Sequence, residues 1–83
     1  MERYKKGMMA RSKAGRDSGR VYVIMDAEGA YVYLADGRYR TVEHPKKKKI
    51  RHIQLIGREC DLSRTDNAQI RKMIKEYNRE EEF

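Results

Sequence analysis

Apolar and polar positions along the chain fall into two regimes. Up to about residue 56 they come in short runs broken by glycine, the signature of strands and tight turns. Residues 7–12 read as a first strand. Residues 21–26 read as a second, and being apolar on both faces it belongs in the middle of a sheet. Tyr31–Ala35 is a third, with Val32 and Leu34 on one face and Tyr31 and Tyr33 on the other. Residues 38–42 alternate Arg38, Arg40 and Val42 against Tyr39 and Thr41 and predict a fourth strand, interrupted by Pro45. Residues 50–56, ended by Gly57, predict the fifth. After that the period changes. Ile70, Met73, Ile74 and Tyr77 recur at i, i+3, i+4 and i+7, one face of a helix, started by Ser63-x-x-Asp66 or by Thr65 and fraying at Glu80-Glu81-Glu82. Five short strands in under sixty residues predict a mainly β protein, a small SH3-like barrel over residues 1–60. Residues 61–83 form a helical tail packing on it.

The turns sharpen this picture. Lys13 to Gly19 holds two glycines and an Asp-Ser pair, a loop in which at least one of Gly15 and Gly19 needs positive φ. Asp17 in such a loop is expected to hydrogen-bond its own backbone. Asp36-Gly37 between two strand-like runs predicts a type I′ hairpin turn.

Composition then narrows the function. The chain has 83 residues, 20 Lys/Arg against 13 Asp/Glu and a net charge of +7. A domain of this size buries only about 60% of its unfolded surface, and a basic excess points to a polyanionic partner. No run approaches the ~20 apolar residues of a membrane span, and residues 1–10 do not make a signal peptide. One cysteine, Cys60, suits a reducing cytosol, so a cytoplasmic protein, monomeric when free, is expected. The charge is uneven: residues 1–60 carry 15 Lys/Arg against 7 Asp/Glu, whereas residues 61–83 carry 5 against 6. The tail is therefore expected to stabilise the barrel or dock a protein rather than bind a polyanion.

Gly15-Arg16-Asp17-Ser18-Gly19-Arg20 resembles a KOW motif, a basic glycine-bracketed turn between the first two strands of an SH3-like barrel. Together with Ala35-Asp36-Gly37 and the run from Pro45 through Lys46–Lys49 to Ile50, Arg51 and His52, it is similar to small bacterial KOW-domain proteins. These are related to a large-subunit ribosomal protein family of archaea and eukaryotes. The resemblance covers roughly residues 6–56 and leaves the helix outside it. Ser18 stands where a lysine is common and Tyr22 near where glycine is frequent. The resemblance implies binding of structured RNA, ribosomal RNA above all, with ribosomal proteins as possible neighbours.

The residues support such a role on their own chemistry. Lys13, Arg16, Arg20, Arg38, Arg40, Lys46, Lys47, Lys48, Lys49, Arg51 and His52 are the candidate RNA contacts, as charge-assisted donors to phosphate. The lysine run is expected to add affinity without contributing to the fold. Tyr31, Tyr33 and Tyr39 are either base-stacking platforms or packing residues, the second being the simpler reading. His44 and His52 lie at no metal-ligand spacing, Cys60 has no identifiable activating base, and no catalytic constellation appears. No cofactor and no enzymatic activity are expected. The rival to RNA binding is a module that docks on ribosomal or transcription proteins.

Overall fold

The computed structural model describes residues 4–59 and 66–81. Its strands are β1 (Met8–Ser12), β2 (Val21–Glu28), β3 (Tyr31–Ala35), β4 (Lys46–Lys49) and β5 (Ile53–Glu59). A 3₁₀ turn, Ile50–His52, precedes β5, and α1 spans Asn67–Glu81. All pairings are antiparallel, in the order β4-β3-β2-β1-β5. The protein is mainly β, one five-stranded sheet with a C-terminal helix. β4 and β5 end the order at opposite edges, so the sheet curls without closing. Register shifts at Met8/Met9 against β5 and at Ile24/Asp26 against β3 supply the bends.

β2 is apolar on both faces because each face has its own layer, and it is central as expected. Tyr22 and Ile24 lie in the concave core with Ala10, Val32, Leu34 and Ile53. Val21 and Val23 face the other way, with Met9 and Ala35, and α1 covers them with Ile70 and Tyr77. Met73 and Ile74 flank this second layer, so the whole predicted stripe is used for packing. Asp66 caps the helix: its Oδ1 accepts the Gln69 N–H at 2.8 Å and its carbonyl the Ile70 N–H at 3.0 Å. Ser63, Thr65 and Cys60 lie outside the described residues. No described helix is long and apolar enough to cross a membrane.

The fourth strand is not where alternation placed it. Residues 38–42 form a bend leading into a turn at Val42, and the lysine run itself is β4, paired with β3 from Lys46 opposite Leu34 to Lys49 opposite Tyr31. The reason lies in where the backbone donors go. The Arg38 and Arg40 N–H groups both donate to Asp36 Oδ1, at 2.9 and 2.8 Å, and the Val42 N–H donates to Asn67 Oδ1 at 2.8 Å. Side chains have taken the donors a ladder would need. The expected type I′ hairpin at Asp36-Gly37 is replaced by this carboxylate-centred turn: Gly37 has φ +78°, but among the described residues no non-glycine residue, Asp36 included, has positive φ. The fifth strand also starts later than expected, at Ile53, and runs through Gly57 to Glu59. The helix continues through Glu80, whose carboxylate pairs with Arg58, so that contact offsets the unfavourable macrodipole.

Candidate nucleic-acid interface

The loop between β1 and β2 is shaped by its two glycines, at φ +84° for Gly15 and +91° for Gly19. Its ends are closed by the Ser12 N–H donating to the Arg20 carbonyl (2.9 Å) and the Gly19 N–H to the Ser12 carbonyl (2.8 Å). This turn lowers Asp17 into the protein, where the residue is only 7% exposed. The Asp17 side chain does not bond its own backbone, as a loop aspartate is expected to. Oδ1 accepts from Ser12 Oγ at 2.8 Å and Lys48 Nζ at 2.9 Å, and Oδ2 from Tyr22 OH at 3.0 Å and Lys46 Nζ at 2.8 Å. Lys48 Nζ donates also to the Ala14 carbonyl at 2.8 Å. Burial opposes ionisation of Asp17, but the two ammonium groups and two hydroxyls outweigh it and hold the carboxyl well below the usual range. The same contact works the other way on Tyr22, whose hydroxyl is pushed up to about 12, first by burial and then by the carboxylate it donates to.

This knot divides the lysine run by parity. Strand residues alternate between faces, so Lys46 and Lys48 turn inward beside Leu34 and Val32 and are consumed by Asp17. They belong to the fold, contrary to the expectation that the run adds affinity alone. Lys47 and Lys49 point outward and are exposed, with Lys47 Nζ 4.4 Å from the Tyr31 ring centroid.

Lys13, Arg16, Arg20, Arg38, Arg40 and Arg51 are exposed, and His52 is half-buried. The structure brings one subset together. The Lys13 N–H donates to the His52 carbonyl at 2.8 Å, tying the start of the loop to the 3₁₀ turn. His52 is disfavoured as a cation, first by desolvation and then by Arg51, Lys48, Lys49 and Lys13 around it. Among the described residues, none of Lys13, Lys49 and Arg51 has an acidic ion-pair partner. Arg16 stands exposed in the loop. Arg20 lies on the other side of Gly19, its guanidinium 5.5 Å from the ring centroid of Tyr39.

Sequence reasoning found the helix but missed its basic face. A groove of about 950 Å³ runs between α1 and the turn at residues 36–39, and Arg20, Arg38, Arg71, Lys72, Lys75 and Arg79 all line it. Every basic residue of α1 is on this side. The spacing 71, 72, 75, 79 carries that signal, because those positions share a helical face; the near-neutral total for the tail averaged it away. Arg71 helps build the groove, its guanidinium donating to the Gly37 carbonyl.

No family model matches the chain, and no curated protein matches it.

Proposed function

We propose that the protein binds structured RNA through phosphate contacts, as a cytoplasmic, ribosome-associated protein of the KOW type without enzymatic activity. One observation carries this reading: Lys13, Lys49 and Arg51 gather around His52 at the surface with no acidic ion-pair partner among the described residues, while the nearby Asp17 carboxylate is already used internally. Cations left this way keep their attraction for a polyanion, and such contacts position a ligand without reading its sequence. The ribosomal assignment rests on the resemblance of the loop and the lysine segment to KOW-domain proteins.

Binding of a structured RNA measured from about 50 to 200 mM salt tests the reading. Several phosphate contacts make affinity fall by orders of magnitude over that range. The triple variant Lys13→Gln/Lys49→Gln/Arg51→Gln is expected to melt like the parent and to bind more weakly, with a shallower salt slope. A flat salt response of the parent would end the proposal.

A further inference from the structure

Besides the cluster around His52, the molecule has a second cationic surface, and it differs in kind. Its lining carries six cations against one carboxylate, Asp36. That carboxylate is already engaged, since its Oδ1 accepts two backbone N–H groups. At the rim stands Tyr39, which is 72% exposed, the one large hydrophobic side chain so exposed among the described residues. The fold does not use it. Nothing in the core accounts for a tyrosine there, whereas Arg20 lies within cation–π range of its ring.

We infer that the groove between α1 and residues 36–39 is a binding site for an unpaired stretch of RNA, with a base stacked on Tyr39 and the strand's phosphates held by Lys72, Lys75 and Arg79. The inference rests on the RNA-binding reading above and adds to it a distinct surface, a single-stranded ligand and a role for the helix. Single-strand sites combine a positive groove that follows the backbone with an aromatic ring that any base can stack on, and both are present here. Lys72 to Arg79 covers about 10 Å of helix axis at ~1.5 Å per residue, so the three cations follow one short line along the groove. A regular duplex keeps its bases stacked inside and would leave Tyr39 unused. An acidic protein segment would use the cations but not the ring.

The test compares a short single-stranded RNA, an RNA duplex and poly-glutamate as probes of the full chain. Lys72→Gln/Lys75→Gln/Arg79→Gln is expected to lower the single-strand salt slope by about two units, at ~0.7 per phosphate. Tyr39→Ala is expected to weaken single-strand binding roughly five- to a hundredfold, the stacking contribution of one base, while Tyr39→Phe keeps the ring and binds like the parent. These side chains are exposed, so the variants should melt like the parent, and that is checked alongside. If the helix variant and Tyr39→Ala bind like the parent while Lys13→Gln/Lys49→Gln/Arg51→Gln binds more weakly, the groove is not a site although the protein binds RNA. If the parent binds no RNA, both readings fall together. Equal losses for poly-glutamate and RNA, with Tyr39→Ala unaffected, would also overturn the inference, leaving a general anion surface.

Discussion

Replacing Asp17 by asparagine is the sharpest probe of how the curled sheet is held. The substitution keeps the volume but removes the charge shared by Lys46 and Lys48, and it puts an NH₂ group among four donors. Removing one partner of a buried ion pair costs about 3–5 kcal/mol. The exposure of the two lysines decides where in that range the cost falls. The Lys46 side chain is 28% exposed and can turn to water, whereas Lys48, at 10%, keeps only the Ala14 carbonyl. The low end, about 3 kcal/mol, is therefore expected. For 83 residues, stability on the order of 4–12 kcal/mol is typical, so this loss is a large fraction of the total. At about 4–8 °C per kcal/mol for a domain this small, Tm should drop by roughly 12–24 °C. Urea unfolding followed by circular dichroism at pH 7 measures the difference directly. The pH dependence gives an independent check. Because the folded carboxyl is held below its ordinary value of 3.8, its contribution is complete above that pH and is lost as pH falls towards the folded value. The gap between parent and Asp17→Asn should therefore be wide at neutral pH and narrow progressively below about pH 4. A variant within about 0.5 kcal/mol of the parent at pH 7, the range of an ordinary surface change, would refute the reasoning.

The parity of the lysine run makes a second prediction: Lys46→Gln/Lys48→Gln, which leaves the Asp17 carboxylate without either ammonium, should lose about 3 kcal/mol or more, while Lys47→Gln/Lys49→Gln stays within about 0.5 kcal/mol, both read from urea midpoints. Two glycines separate backbone strain from steric contact. A Cβ on Gly37 would stand 2.3 Å from the Asn67 carbonyl oxygen, while one on Gly19 meets nothing within 4 Å. Gly19→Ala should therefore cost only the ~1–2 kcal/mol of left-handed backbone. Gly37→Ala should cost clearly more and displace the start of α1, visible as a larger fall in Tm and in helical circular dichroism.

What the sequence reveals depends on how local the determining interaction is. β1, β2, β3 and the apolar stripe of α1 are readable because periodicity and glycine placement are properties of neighbours. The fourth strand is not, since lysine is a poor strand former and what makes residues 46–49 a strand is a carboxylate 29 residues away. Residues 38–42 have the better alternation, yet Asp36 and Asn67 take their donors. At the candidate site the basic residues are visible one by one, but not the division of the lysine run into inward and outward pairs. The basic face of the helix is legible in its spacing once charge is projected on the helix instead of summed over the tail.

β4 lies at an open edge of the sheet, and its composition decides what can be added there. An unpaired edge is a template for a further strand, including one from another copy of the chain. Two copies of β4 side by side would bring Lys47 and Lys49 of one against those of the other, and like charges directly opposite are destabilising. Two of the lysines tie the edge to the interior, and the other two guard it against its own kind. A concentrated solution of the protein is thereby kept from growing sheet upon sheet through this edge.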